Sequence, residues 1–394
     1  DRHFSFKGNF IISSPHKFTF IICLKKILQI LLLKKNNYVT LFHLPNYLQK
    51  NKIKEVKYIK EILNNDTRKF SYIIENTILN IIHNYSIFEE SNLNLLKVIK
   101  PKKIIAHHIR WDEALLTAYN AKKLNIPIYL ISHGSHCYND NQNVNKETLI
   151  HLNDMLTSEL ANKYFIQSPL ALETLKFFKL YDSKKIIKIK PIMWGFQKFV
   201  NKNKNLDKFV ILHASTTKDF APRPFMYETP FEYIRGLNKL ISSIQNIKNC
   251  KLIIRHRNTK ELNVDTLKVI LKIKQNNIEI KKNGEFIDDL NQSDLLISYS
   301  STTIEEAINL RKPVLLFGGG NYNHINSTMT EIVNSKNNGT IRKPIYLAND
   351  NIEKTIIDMK NLFFNKPLIN EEIDNFAYSD VTFNENKFIN YLIK

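Results

Sequence analysis

Cysteine, glycine and proline are all scarce in this chain of 394 residues. Its three cysteines, Cys23, Cys137 and Cys250, lie far apart and form no CxxC or CxxH pair. This spacing gives no support to a disulfide framework or a zinc site, and it indicates a reducing, cytoplasmic compartment. With only 9 glycines and 12 prolines, the chain is neither collagen-like nor dominated by linkers.

Glycine-rich phosphate loops and membrane-spanning runs are absent as well. Neither GxGxxG nor GxxxxGK occurs, so the fingerprints of NAD-binding and P-loop ATP-binding sites are missing. The apolar stretch Phe18–Leu33 contains Lys25 and Lys26 and is shorter than the roughly 20 residues that span a bilayer. We expect a buried helix or a strand–helix pair of a first domain there, with an interfacial membrane helix as the alternative.

Acidic residues are outnumbered: 57 Lys and Arg stand against 37 Asp and Glu, a net charge of +20. Nucleic acid, an anionic membrane surface or acidic small molecules are the partners that such a charge favours. The basic residues are spread along the chain, without an Arg-rich helix, a zinc finger or an RNP-like aromatic strand. We therefore expect no nucleic-acid partner and retain three explanations of the charge: a Lys-rich genomic composition, a membrane surface and acidic substrates.

Short apolar runs alternate with segments of helical periodicity, in two series. The first series predicts strands at Lys103–Ala106, Pro127–Ile131, Tyr164–Gln167 and Ile186–Ile189. The second predicts strands at Phe209–His213, Lys251–Arg255, Ile278–Ile280, Leu295–Ser298 and Pro313–Phe317. Such alternation indicates an α/β fold with parallel sheets. We predict two Rossmann-like domains, 1–197 and 208–394, joined by a Lys- and Asn-rich linker at 198–207, with a cleft between them.

Ligands of such sheets bind beyond the carboxyl ends of the strands, so the residues after each strand are the candidate site. After Leu295–Ser298 come Ser300, Ser301, Thr302 and Thr303, and a helix is predicted to start there. Hydroxyls and free N–H groups at a helix start suit a phosphate, although ordinary helix capping explains them equally well.

A carboxylate lies one turn into the same predicted helix, at Glu305 or Glu306. Either side chain is placed to accept a hydrogen bond from a ribose diol. Because a glutamate in the first turn of a helix is also a common capping residue, the structural alternative stays open.

Other loops of the second series add polar groups. Arg255 and His256 end a strand, where they suit a diphosphate leaving group, or simply form a solvated basic turn. Thr216 and Lys218 suit a phosphate or acceptor contact. Further along the chain, the glycines Gly318 and Gly319 are expected to let a ligand approach the backbone closely.

In the first series, His133 and Gly134 follow the strand Pro127–Ile131. A histidine on such a turn can take a proton from a hydroxyl near neutral pH, or it has no chemical task. Asp112 and Glu113 are the rival bases, and Asp112 is also the predicted N-cap of the next helix. No residues show metal-ligand spacing and there is no DxD motif, so we expect no metal site.

The run SDLLISYSSTTIEEAINLRKPVLLFGG, residues 293–319, resembles the donor domain of GT-B glycosyltransferases of bacterial surface polysaccharides. The similar groups are the CDP-glycerol glycerophosphotransferases of teichoic-acid synthesis and the CMP-Kdo and capsule transferases. The resemblance covers about residues 100–135 and 206–320. It implies that the Ser/Thr turn holds donor phosphate, that Glu305 or Glu306 lies near the nucleotide, and that His133 is the general base. Arg257 replaces the proline of the family's His-Pro pair, so that match is partial.

The resemblance implies a metal-independent inverting transferase without a cofactor. It would move a sugar or glycerol phosphate from a nucleotide-activated donor, CMP-linked donors included, to a surface polysaccharide or lipid-linked acceptor at the inner face of the membrane. The first domain would bind the acceptor and the second the donor. Two alternatives remain: a nucleotide-sugar 2-epimerase, whose usual Ser-Gly-Gly run is not reproduced by residues 301–303, and a basic, non-catalytic binding protein.

Overall fold

The computed structural model describes a defined set of residues: 10–13, 38–41, 88–110, 112–132, 134–192, 207–214, 228–259, 262–271, 273, 276–320, 325–333 and 341–378. Several sequence predictions fall outside them. These are the apolar stretch Phe18–Leu33, residues 198–206 of the linker, and the site residues His133, Thr216 and Lys218.

The described strands form three sheets. A parallel pair joins β1 (Phe10–Ser13) to β2 (Tyr38–Leu41). A four-stranded sheet has the order β3-β4-β5-β6, with bounds Ile104–Ala106, Ile128–Ile131, Lys163–Ile166 and Ile186–Lys188. A seven-stranded, all-parallel sheet has the order β12-β13-β11-β10-β7-β8-β9.

The strands of the seven-stranded sheet are almost wholly apolar. Their bounds, from β7 to β13, are Phe209–Ala214, Cys250–Arg255, Ile278–Lys281, Leu295–Ser298, Val314–Leu316, Glu331–Ile332 and Ile345–Leu347. The central strand β10 is buried along its whole length, as are its neighbours β11 and, but for one residue, β7. Continuous apolar strands are typical of a parallel sheet covered on both faces, because neither face is left for solvent.

Helices connect the strands, and several begin with local caps. The described helices are 88–99, Asp112–Lys123, Gln142–Leu152, Pro169–Phe177, Pro230–Ile244, Val264–Leu271, Phe286–Gln292, Thr303–Asn309, Ile352–Phe363 and Asn370–Ile373. Thr229 and Glu232 form a capping box before Pro230, which holds the first helical position. Ser168 likewise accepts a hydrogen bond from the amide of Ala171.

The predicted alternation is confirmed, and the fold class is α/β with parallel sheets. Within the described residues, each predicted strand lies within one or two residues of an observed one. Sequence periodicity did not predict the short strands β12 and β13, which add an edge to the larger sheet. A strand of two or three residues contains too few side chains to show a period of two.

Contacts between residues divide the chain into two compact units. One takes the described residues up to Ile131 and the segment Asp154–Tyr164. The other takes Ser132–Asn153 and the described residues from Phe165 onward, which include the whole seven-stranded sheet. The boundaries 1–197 and 208–394 remain predictions.

The first unit holds a small buried polar network between two helices. The side-chain amide of Asn92 donates to the hydroxyl of Thr117 at 2.9 Å, and that of Asn120 donates to the Asn92 oxygen at 3.1 Å. These bonds tie helix 88–99 to helix Asp112–Lys123 and satisfy polar groups that burial would otherwise leave unpaired.

Candidate functional site

The turn after β10 places hydroxyl groups inside the second unit. Ser300 is fully buried, and its Oγ atom has no hydrogen-bond partner among the residues the structure describes. The buried Oγ1 atom of Thr303 also lacks one there, whereas Ser301 Oγ accepts from the Thr303 amide at 3.3 Å. Thr302 makes no side-chain capping bond. Because a buried hydroxyl left unpaired costs about 1–3 kcal/mol, Ser300 and Thr303 have bonding capacity that a ligand would satisfy.

The two glutamates of the following helix, Thr303–Asn309, have different surroundings. Glu305 is buried, and its Oε1 atom accepts a hydrogen bond of 2.7 Å from the backbone amide of Ser135. Burial raises the pKa of the Glu305 carboxyl to about 7, although the Ser135 bond acts in the opposite direction. Glu306 is only half-buried. Of the two, Glu306 is therefore the more accessible to a ligand.

The segment after β4 packs directly against residues 300–303, called the hydroxyl turn below. A methyl group added to Gly134 would lie 2.9 Å from Thr302 Cγ2, so only glycine fits this approach without a shift. Ser135 Oγ is hydrogen-bonded to Ser168 Oγ, and Gln167 donates to the carbonyl oxygen of Ser132. The described residues 132 and 134–136, called the 132–136 turn below, thus contact both the hydroxyl turn and the segment after β5.

The segment after β4 contains a second histidine, His136, three positions after the predicted base. His133 is outside the described residues, so its role as a base stays a prediction. His136 has a φ of +46° and its ring stacks edge-on against His151, with ring centroids 4.7 Å apart. Its Nε2 atom would lie 3.9 Å from a Cβ atom on Gly134, on the same side as Glu305 Oε1.

Arg255 and His256 form hydrogen bonds with other residues of the second unit. The Arg255 guanidinium donates to the carbonyl oxygens of Asn283 and Gly284, both at 2.6 Å, and lies 3.3 Å from the buried carboxylate of Asp289. These bonds hold the guanidinium at the loop after β9. Its predicted contact with a diphosphate remains untested.

Both ring nitrogens of His256 have partners. Nε2 lies 2.9 Å from the carbonyl oxygen of Leu262, so this nitrogen bears the proton and donates. Nδ1 then accepts from the hydroxyl of Tyr233 at 3.3 Å. Burial raises the pKa of the Tyr233 phenol well above its usual range, so the phenol keeps its proton. His256 thus has a structural role, and its donor-binding role remains a prediction.

Gly318 and Gly319 lie in close contact with other parts of the second unit. The amide of Gly319 donates to the buried carboxylate of Glu228 at 2.7 Å. A Cβ atom at Gly319 would overlap the backbone carbonyl of Glu232, whose carbon lies 2.5 Å from that position. One at Gly318 would overlap the Glu228 side chain and lie 2.7 Å from the Tyr299 ring. The chain itself fills the space beside these glycines, and a ligand contact at them remains a prediction.

The predicted bases Asp112 and Glu113 belong to the first unit, where they begin the helix Asp112–Lys123. The helix starts at Asp112 itself, so the prediction that Asp112 is its N-cap is wrong. Among the described residues, no group of three or more His, Cys, Asp and Glu side chains is arranged to hold a metal ion. Within that same part of the chain, no helix is both long and apolar enough to cross a bilayer.

Two residues of the site were not predicted from sequence, Ser135 and Glu228. Each is joined by a hydrogen bond to a residue far along the chain, 170 positions away for Ser135 and 91 for Glu228. The Ser132-His133-Gly134-Ser135 motif drew attention to the histidine and the glycine only. A single sequence contains no signal for a backbone amide that meets a side chain so distant in the chain.

No family model matches this sequence, and no curated protein matches it. Among solved structures, the chain is similar to S. aureus MnaA in complex with UDP, with a TM-score of 0.52 and 14% identity over 98% of this chain and 96% of that one. A UDP-GlcNAc 2-epimerase from Methanocaldococcus jannaschii, in complex with UDP-GlcNAc and UDP, matches with a TM-score of 0.47 and 14% identity over 97% and 99%. Acinetobacter baumannii MurG matches over 78% and 76%, with 10% identity and a TM-score of 0.37. The likeness to the S. aureus protein shows the fold: the chain has the GT-B type of α/β fold with two Rossmann-like domains, as its sequence predicted.

Proposed function

We propose that this chain is an enzyme that binds a nucleotide-activated sugar at the hydroxyl turn 300–303, and that it is a nucleotide-sugar 2-epimerase acting on UDP-N-acetylglucosamine. The observation that carries the proposal is the pair of buried hydroxyls on Ser300 and Thr303, which have no partner among the described residues. They lie just beyond the carboxyl end of β10, the position at which open parallel sheets bind their ligands.

The choice of nucleotide follows from the structural comparison. The S. aureus protein of similar fold was solved with UDP, and this likeness extends over nearly the whole of both chains. Phosphate oxygens accept hydrogen bonds from hydroxyls, and Ser300 and Thr303 each present one. UDP is therefore the first nucleotide to test, ahead of the CMP-linked donors that the sequence resemblance implies.

Glu306 is our candidate for the ribose contact. It lies in the first turn of the helix that follows the phosphate-binding residues and is half-buried, whereas the neighbouring Glu305 carboxyl is used by the Ser135 amide. A carboxylate accepts two hydrogen bonds from a vicinal diol. The proposed site thus consists of the hydroxyls of residues 300–303 at the phosphates and Glu306 at the ribose, with the sugar as substrate and no resident cofactor.

Glycosyl transfer is the second candidate, and the run at residues 293–319 favours it through its resemblance to transferase donor domains. In that reaction His133, Asp112 or Glu113 would deprotonate an acceptor hydroxyl, and Arg255, His256, Thr216 and Lys218 would surround the donor phosphates. The acceptor would be a glycan or a lipid-linked sugar, and the net charge of +20 would favour an anionic membrane surface.

Thermal unfolding in the presence of nucleotides tests the binding proposal. We expect UDP, at about one hundred times its dissociation constant, to raise the unfolding midpoint by about 3 °C, since a ligand at that excess stabilises the folded state by about 2.7 kcal/mol. CMP, CDP and GDP are the comparison ligands at the same concentration. A midpoint that moves with none of the four would contradict both enzyme candidates.

The reaction is tested by incubating the purified protein with UDP-N-acetylglucosamine alone. An epimerase needs no second substrate, so the C2 epimer of the sugar should accumulate to a constant ratio, which proton NMR of the anomeric region measures. A UDP-dependent midpoint shift without any epimer would reject the first reaction and leave glycosyl transfer.

A further inference from the structure

Two segments far apart in sequence, the 132–136 turn and residues 302–305, are in direct contact. The Ser135 amide donates to Glu305 Oε1 at 2.7 Å, and Gly134 approaches Thr302 so closely that an added methyl group would lie 2.9 Å from Thr302 Cγ2. One contact is polar and the other is steric. Together they fix the spacing between the 132–136 turn and residues 300–303.

Further bonds hold the rest of this segment in place. Ser135 Oγ is bonded to the hydroxyl of Ser168, the capping residue of helix Pro169–Phe177. Farther along, the carboxylate of Asp140 accepts from Asn326 Nδ2 at 2.7 Å and from the Ser327 amide at 2.8 Å. Glu305 provides the attachment that reaches the proposed nucleotide site itself.

We propose that Glu305 is a positioning residue, which holds the 132–136 turn beside the nucleotide through the Ser135 amide and does not itself bind the nucleotide. The proposal rests on the function proposed above, because it assigns a task within that site. The proposal assigns different roles to two adjacent glutamates that the sequence alone does not distinguish. Glu306 contacts the ligand, and Glu305 positions the protein segment next to the ligand.

Burial and hydrogen bonding support this division. Only 7% of Glu305 is exposed, and one of its carboxyl oxygens already has the Ser135 amide as a donor. Burial leaves little room for a ribose hydroxyl beside that oxygen, and displacing the amide would leave a buried N–H group unpaired. A glutamine at position 305 has the same shape and presents a carbonyl oxygen to the amide, whereas an alanine presents nothing.

The test compares Glu305→Gln and Glu305→Ala, with Glu306→Ala as the matched control one residue away. Calorimetry gives the UDP affinity, and steady-state kinetics with UDP-N-acetylglucosamine give kcat and KM. We expect Glu305→Ala to lower kcat at least tenfold while UDP affinity changes less than threefold. Glu305→Gln should stay within about threefold of the wild type in both. Glu306→Ala should instead weaken UDP binding at least tenfold.

Hydrogen exchange followed by mass spectrometry tests the positioning directly and requires no ligand. Peptides that contain the Ser135 amide should exchange at least tenfold faster in Glu305→Ala than in the wild type, and at nearly the wild-type rate in Glu305→Gln. Faster exchange in a protein that binds none of the nucleotides would support the positioning contact and refute the function. Unchanged exchange in Glu305→Ala would refute the positioning contact whatever the protein binds.

A second variant covers the case in which Glu305→Ala does not fold. Gly134→Ala pushes against the Thr302 methyl group and changes the same spacing from the opposite side. We expect kcat to fall by a larger factor than UDP affinity does, as for Glu305→Ala. A tenfold loss of UDP affinity in Glu305→Ala or Glu305→Gln, with kcat unaltered, would identify Glu305 as a nucleotide ligand and overturn the proposal.

Discussion

Replacing Gly319 by alanine is expected to lower the free energy of unfolding by about 3 kcal/mol, the upper part of the range for overpacking a folded interior. The added methyl group would overlap the backbone carbonyl of Glu232, in the first turn of the helix Pro230–Ile244, and backbone yields less readily than the end of a side chain. Urea unfolding monitored by circular dichroism measures the change.

Gly284→Ala is the matched control for this experiment. Gly284 has a φ of +92°, but among the described residues a methyl group there would meet Arg255 Nη1 alone, at 3.8 Å. The variant therefore introduces backbone strain without steric overlap, and we expect it to cost about 1–2 kcal/mol. If Gly319 instead contacts a bound ligand, Gly319→Ala will unfold like the wild type and lose its UDP-dependent midpoint shift.

The second large effect is a pH-dependent stability that Glu305→Gln should remove. The Glu305 carboxyl has a pKa of about 7 in the folded chain, mainly because of its burial, against an ordinary value of 4.5. Between these pH values the unfolded chain binds fewer protons at this position than the folded chain does. The free energy of unfolding therefore falls as the pH rises from 4.5 to 7, by about 3 kcal/mol from this group, and the loss is complete above pH 7.

Urea unfolding at pH 5 and pH 8 measures this contribution as the difference between wild type and Glu305→Gln. We expect the glutamine variant to gain stability relative to the wild type at pH 8 and not at pH 5. Glu306→Gln is the control, since it removes the neighbouring charge that also disfavours ionisation of Glu305, and its effect should be much smaller. Equal pH dependence in the wild type and Glu305→Gln would show that the buried carboxyl is not the source.

Local sequence patterns predicted the regular elements closely. Leu295–Ser298 was predicted as a strand with its observed bounds, and the helix predicted to start within residues 300–303 begins at Thr303. These elements are encoded locally, because a buried parallel strand needs a continuous apolar run and a helix needs a period of 3.6. The two-residue strand Glu331–Ile332 was missed because its position depends on pairing with β13 rather than on its own composition.

The same holds for the site: local sequence predicts some of its features, and contacts between distant residues decide the others. The motif at residues 300–306 was found from its hydroxyls and glutamates, and two of those hydroxyls are buried with no partner among the residues that the structure describes. The sequence did not say which glutamate turns inward, since Glu305 and Glu306 are chemically the same. Glu305 is the one that accepts a hydrogen bond from the Ser135 amide. Ser135 belongs to a segment that the sequence predicted to lie in the other domain.

The order of strands and helices, the polar residues that follow each strand and the positive charge all follow from the sequence by itself, because each depends on neighbouring residues or on composition. Tertiary structure alone decided that the 132–136 turn packs against residues 300–303, that Glu305 is buried, and that Gly319 makes room for the carbonyl of Glu232. Each of these joins groups from distant parts of the chain. Contacts of that kind depend on how strands and helices pack in three dimensions, which no local period or motif encodes.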